Sequence, residues 1–381
     1  VPGTYGNVTL DLGSKTIAPG ATAVFKAGVP LPQPRLWSPE DPYLYDVELT
    51  ARVGGAVAQR WTTRSGVRSI KNVSGRLYLN GLPLSWRGFG LHEDSLERGF
   101  ALNDADRRAI VDYVKDTGGT LMRSHYPLHP QLMEIADEEG LLVWSEIPMY
   151  QVRTHVLDRN RVRRKALGVL EQNILANGNH PSVIVWSIAN ELNSQVTPAQ
   201  HRYIRRAVRL SHRLDPTRPV GQAVASNLTL PCQKPFRLLD VYGVNEYFNW
   251  YTGADGTMAE RENLGVFLRK VRRCYPGVAI AVTEFGAEAN RDGPIEERGT
   301  YQFQEDFIRY HLDEYANHPW LSGITYWALM EFRVRPNWDG GNPRPQPPIH
   351  QKGIVTMDGF KKLGYYMIQR YFQAADQFPD G

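Results

Sequence analysis

Little in this chain points to a metal, a membrane or a nucleic acid. Two cysteines, Cys232 and Cys274, occur in 381 residues. Neither lies in a CxxC pair, which argues against a metal or redox site, and spacing alone leaves open whether they pair with each other. No apolar stretch approaches ~20 residues, so no membrane span is expected. The charge is nearly balanced, 44 Lys+Arg against 40 Asp+Glu for a formal net charge of +4. Arg202, Arg205, Arg206, Arg209 and Arg213 recur at helical spacing and read as a solvated helix face. No nucleic-acid motif accompanies them. Internal repeats are absent, and no Gly-rich phosphate loop follows the first strand of the α/β region, which counts against a dinucleotide fold. The chain opens at Val1 rather than Met, with no signal-like segment. A processed chain or a piece of a longer one is expected, and the compartment of a soluble protein, cytoplasmic or secreted, stays open.

What is present fits two domains. The length exceeds that of one small domain, and a hydrophobic content of 42% can fill a sizeable core. Residues 1–67 read as all-β: alternation at Val8, Leu10 and Leu12 and again at 43–51, with Gly/Pro turns between, predicts four or five short strands. That is the pattern of an immunoglobulin-like β-sandwich, for which ~100 residues are usual, so this one is expected to be partial. A hairpin turning at Asn80-Gly81 follows. Residues 68–381 then alternate strands and helices. Strand-like runs fall at 84–90, 120–124, 141–146, 183–190, 219–223, 241–247, 280–284 and 323–329. Helical periodicity falls at 104–117 (with Asn103 as N-cap), 131–139, 163–175, 198–214, 259–274 and 301–315. Eight such alternations predict an α/β fold, a (β/α)8 TIM barrel, with an open doubly wound sheet as the alternative. The proline-rich stretch 342–348 is placed to form a rim loop beyond the eighth strand.

Two of these strands, the fourth and the seventh, lead into acids that could work as a pair. The run 183–190 stops at Asn190-Glu191, and 280–284 stops at Glu284 before a glycine turn. Continuous apolar runs suit strands buried on both faces, and the carboxyl ends of barrel strands form the active-site floor. Paired carboxylates flanking a glycosidic bond are the apparatus of sugar hydrolysis. Other polar and aromatic residues also collect at strand ends: His92 and Asp94, Arg123 and His125, Glu146, Asn245 and Tyr247, Trp327. Packing is the competing role for Trp327, a buried structural hydrogen bond for His92 and His125, and neutralisation of arginines for Asp94 and Glu146.

Taken together these stretches resemble glycoside hydrolase family 2, its β-glucuronidase branch most closely. The residues that carry the likeness are Gly88 to Asp94 (ending Leu91-His92-Glu93-Asp94), Arg123-Ser124-His125-Tyr126-Pro127, Asn179-His180-Pro181-Ser182 with Trp186 to Glu191, Asn245 to Tyr251, and Thr283-Glu284-Phe285-Gly286-Ala287. The resemblance implies a sandwich followed by a barrel, and a retaining exo-β-glycosidase with Glu284 as nucleophile and Glu191 as acid/base. It implies that Asn190 binds the sugar 2-hydroxyl and that Asp94, Arg123, His125, Asn245, Tyr247 and Trp327 line the substrate pocket. For Asn190 and Glu191 to face one pocket, the strand end must be distorted. In the glucuronidase branch an Asn-x-Lys element binds the sugar carboxylate with help from a tyrosine. Here Lys352 and Tyr251 match, while His350 stands in the asparagine position. β-Glucuronides are therefore the favoured substrates, with β-galactosides and β-galacturonides as alternatives. A carbohydrate-binding protein without turnover is the alternative of another class. No metal or organic cofactor is implied, and a homo-oligomer is left open.

Overall fold

A computed structural model describes residues 8–377; residues 1–7 and 378–381, the outer ends of the two expected domains, lie outside the described residues. The chain begins with a hairpin, β1 (Tyr45–Val53) and β2 (Ala56–Ser65), and a small sheet, β3 (Ile70–Val73), β4 (Arg76–Leu79) and β5 (Leu82–Pro83). There follow β6 (Trp86–Gly90), α1 (Asp104–Asp116), β7 (Leu121–Arg123), α2 (Pro130–Glu139), β8 (Leu142–Glu146), α3 (Thr154–Leu157), α4 (Asn160–Asn177) and β9 (Val183–Asn190). Then come α5 (Pro198–Leu214), β10 (Val220–Ala225), β11 (Val241–Asn245), α6 (Asn263–Cys274), β12 (Ala279–Glu284), β13 (Ala289–Arg291) and β14 (Gly299–Thr300). The last elements are α7 (Tyr301–Ala316), β15 (Gly323–Trp327), β16 (Phe332–Arg333), β17 (Ile349–His350) and α8 (Leu363–Ala374).

Strands β6 to β12 and β15 close in chain order into a parallel barrel, so the open-sheet alternative is excluded. Helices cover the outside, except between β10 and β11, where a short 3-10 turn at Lys234–Leu238 stands in for a helix. Strands such as β9 and β12 are buried at every position, because barrel interior and helical layer each cover one face. The expected cap of α1 forms in full: the Asn103 side chain accepts from Asp106 N, and the Asp106 carboxylate accepts from Asn103 N, both at 2.9 Å.

The small sheet plugs one end of the barrel. Leu77 and Leu79 of β4 join Trp86, Leu121, Leu142 and Trp144 in one apolar cluster at the amino ends of the barrel strands. The carboxyl ends are left as the open mouth. Cys232 and Cys274 form a disulfide that ties the loop after β10 to the end of α6. Among the described residues no helix is long and apolar enough to cross a membrane.

Within residues 8–67 the sequence expectation needs correction. Of the four or five strands expected, β1 and β2 form, together with a bridge between Leu36 and Val67. The alternation at Val8, Leu10 and Leu12 produces no strand, and all three side chains are exposed. Alternation specifies a strand only where one face is covered, and nothing among the described residues covers this one.

Candidate active site

Local backbone irregularities bring the two acids into one pocket. Between β9 and β10 the pairing runs Trp186 to Val220, Ser187 to Gly221, then Asn190 to Ala223, so β9 carries one residue more than its partner. Glu191 then turns into the left-handed region at φ +47°. The bulge and the turn supply the distortion expected at this strand end, and they aim Asn190 and Glu191 at the same amide. Asn245 Nδ2 donates to Asn190 Oδ1 at 2.9 Å and to Glu191 Oε1 at 3.0 Å. A second irregularity, between β11 and β12, pairs Asn245 with Glu284. Asn245 Oδ1 there accepts from Thr283 Oγ1 at 2.7 Å.

The two carboxyls occupy unlike surroundings. Glu284 is buried and ion-paired: Oε1 accepts from Arg123 Nη1 at 2.8 Å and Oε2 from the Tyr247 hydroxyl at 2.7 Å. Among the described residues Glu191 has no cation within bonding distance and accepts only neutral amides, from Asn245 and from Gln151 Nε2 at 2.7 Å. Burial, and next the negative charge of Glu284, push its proton affinity above the ordinary glutamate range, against the pull of those two amides.

Arg123 is the hub. Besides Glu284 it donates to Asn190 Oδ1 at 2.8 Å and to both oxygens of Glu146 at 3.2 Å. Glu146 also accepts from Trp144 Nε1 at 3.1 Å and Ser187 Oγ at 2.7 Å, and faces His125 Nδ1 at 3.0 Å. Every position on this carboxylate is used within the barrel, so Glu146 neutralises Arg123 and orients both Arg123 and His125. Burial alone would raise its pKa, but Arg123 and His125 overcome that and hold it at about 2. The folded value lies below that of an unfolded glutamate, about 4.3. Glu146 therefore stabilises the fold above that unfolded value, and the contribution is lost as pH falls toward 2. Urea unfolding of Glu146→Gln is expected to show a flatter dependence on pH between about 5 and 2 than wild type. Superimposable slopes would remove Glu146 from the acid response.

Trp327 fills the packing role left open for it. It packs edge-on against Phe332, and its ring stacks on His125 with centroids 4.6 Å apart. Gly90 permits this, since a Cβ there would lie 2.1 Å from the indole. His125 Nε2 stands 3.7 Å from Glu284 Oε1.

Lys352 is buried at the far side of the mouth. Nζ donates to the Tyr251 hydroxyl at 2.6 Å and lies over the rings of Tyr251, Tyr247 and Trp250 at 4.6, 5.2 and 5.5 Å. Among the described residues no carboxylate lies within ion-pair distance of this ammonium. His350, on β17, is stacked between Phe332 and Trp338, with centroids at 4.5 and 5.5 Å. Burial, with the Lys352 charge beside it, drives its pKa well below the usual histidine value, so it stands neutral. Its buried Nδ1 has no hydrogen-bond partner.

Asp94 is paired with Arg333. Its side chain is fully enclosed, with Oδ1 on Arg333 Nη1 at 2.6 Å and Oδ2 on Arg333 N at 2.7 Å. It anchors β16, which is the charge-neutralising alternative. Sequence reasoning overlooked Tyr150 and Gln151, which lie in the loop after β8. The Tyr150 ring sits 4.9 Å from that of His125, and Gln151 bonds Glu191. Trp338, ahead of the proline-rich stretch 342–348, was also overlooked. No periodicity marks these three.

Comparison with known proteins follows the same lines. Residues 69–318 match the model described as "Glycosyl hydrolases family 2, TIM barrel domain", and residues 6–68 match "Glycosyl hydrolases family 2". The chain belongs to glycosyl hydrolase family 2. A family member named β-glucuronidase from Paenibacillus borealis is 29% identical over 360 residues, covering 90% of this chain and 56% of that protein. The β-glucuronidase of Canis lupus familiaris is 27% identical, covering 97% of this chain and 57% of its own length. Among solved structures, the family 2 β-galacturonidase from Eisenbergiella tayi bound to galacturonate superimposes with a TM-score of 0.85 at 25% identity, covering 93% of this chain and 62% of that one. The chain spans a little over half the length of the curated relatives named here.

Proposed function

We propose that this protein is a retaining exo-β-glycosidase that removes terminal β-linked uronic acids, with β-glucuronides favoured. The observation that carries the proposal is the contrast between two neighbouring carboxyls, one ion-paired to Arg123 and the other held by neutral amides. Glu284, ionised, attacks the anomeric carbon, while Glu191 begins protonated and gives its proton to the departing glycosidic oxygen. Formation of the glycosyl ester removes the Glu284 charge. Glu191, now the stronger acid, is ionised and takes a proton from water, whose oxygen displaces Glu284. Asn190 Nδ2 is buried with no partner among the described residues, which suits a hydrogen bond to the sugar 2-hydroxyl. Arg123 and Tyr247 hold the nucleophile by hydrogen bonds, and His125 and Trp327 give the sugar a flat wall.

The uronic acid assignment rests on Lys352. A buried ammonium held by phenols and indole, with no carboxylate within ion-pair distance, suits an incoming carboxylate. The same cation would leave a neutral galactoside facing an unpaired charge. Galacturonides are the second reading, favoured by the superposition on a galacturonidase and by neutral His350 in place of the expected asparagine. A binding protein without turnover would not need carboxyls in opposite environments. The test is a panel of nitrophenyl β-glycosides. Turnover of a uronide at least about 100-fold above the matching neutral sugar is expected, the effect of one charged hydrogen-bonded contact of about 3 kcal/mol. Equal turnover of neutral and uronic substrates, or none of either, would defeat the proposal.

A further inference from the structure

The loop after β8 is stitched along the end of β9. Asn190 N donates to Met149 O at 3.0 Å, Gln151 N donates to Asn190 O at 2.9 Å, and Tyr150 forms a bridge with Asn190. This carries Gln151 onto the acid/base candidate, where Nε2 donates to Glu191 Oε2 at 2.7 Å. Gln151 has a left-handed backbone, φ +46°, like the φ +47° of Glu191. Such backbones are costly for residues with a Cβ and persist where surroundings impose them. Two adjacent left-handed residues, bonded to each other through their side chains, form one built feature.

We propose that Gln151 is the positioning residue for Glu191, holding its carboxyl in both protonation states and thereby governing proton delivery to the leaving group. The inference rests on the acid/base role proposed above. Each Glu191 oxygen meets one amide, but the two amides differ. Asn245 is locked, because Nδ2 is shared with Asn190 Oδ1 and Oδ1 accepts from Thr283. It can only donate. Gln151 is exposed at the mouth, and its side chain makes no other hydrogen bond among the described residues. Its terminal amide is free to turn over. In one orientation Nε2 donates to the carboxylate; in the other the amide oxygen accepts from the carboxylic acid O–H. A group that is an acid in one step and a base in the next needs a partner able to serve both.

The titratable groups facing Glu191 are Glu284 from β12, His125 beyond β7, Tyr247 beyond β11 and Tyr150 beside Gln151. Glu284 raises the proton affinity of Glu191 and His125 lowers it, while burial keeps both phenols neutral. Against this fixed background Gln151 pulls the affinity down, so its loss raises it.

The experiment compares wild type with Gln151→Met, which keeps the length and removes the amide, and with Gln151→Glu, which adds a second carboxyl. In both variants the basic limb of the kcat/KM profile is expected to move to higher pH, further for Gln151→Glu. Gln151→Met is expected to lose about tenfold in kcat/KM on alkyl uronides, whose leaving groups need a proton, and less than about twofold on nitrophenyl uronides, which depart without one. An active wild type with variants that keep its basic limb, or that lose equally on both leaving groups, would overturn the inference alone. A wild type inactive on every uronide would overturn the role of Glu191 and this inference with it.

Discussion

Replacing Glu284 by glutamine is expected to lower kcat/KM for a nitrophenyl β-uronide by on the order of 10⁴-fold, about 5.4 kcal/mol of transition-state stabilisation. The substitution is nearly isosteric. Its amide oxygen can still accept from Arg123, and its nitrogen can face the Tyr247 hydroxyl, so the fold should hold and the thermal midpoint should move little. What disappears is the anionic oxygen that forms the glycosyl ester and the charge that raises Glu191. The variant should still bind the sugar, because Lys352, Asn190 and Trp327 are untouched. Retention of more than a tenth of wild-type turnover would mean that the nucleophile lies elsewhere, and collapse of the thermal midpoint would mean that the loss was structural.

Lys352→Met carries the second large effect, and it discriminates between substrates. Methionine keeps the length and fills the space beneath Tyr247, Trp250 and Tyr251, so packing changes little. On uronides, kcat/KM is expected to fall by about 10² to 10³-fold, because a buried charged hydrogen bond of about 3–4 kcal/mol goes and the substrate carboxylate is left unpaired. On neutral β-glycosides the rate should stay level or rise, since no cation then remains to be desolvated. Proportional losses on both substrate classes would assign Lys352 to the fold and free the specificity question.

Much of the framework was legible before any coordinates. The strand 183–190 falls where β9 lies, and β8 and β12 differ from their expected bounds by one residue. Barrel strands read well because both faces are buried, which writes an unbroken apolar run into the chain. Asn103 announced α1 because a cap is a local interaction within four residues. Helix α8 went unread for the opposite reason. Its N-cap is Lys362, which makes no capping hydrogen bond, and no start signal precedes it. Val8, Leu10 and Leu12 carried a strand pattern with no face to bury, and Asp94 carried a site motif whose carboxylate is taken up by Arg333, more than two hundred residues away.

By itself the sequence determined the class of fold and the strands that lead into Glu191 and Glu284, since each is a short-range pattern of residue types, whereas the pair of Lys352 and Tyr251, 101 positions apart, was implied by the family resemblance. Tertiary structure alone decided that Arg123 pairs with Glu284 while neutral amides hold Glu191, and that Gln151 is one of those amides. Charge interactions and desolvation act through space, falling with distance and with exposure to water, and those distances exist only once strands remote in the chain stand side by side.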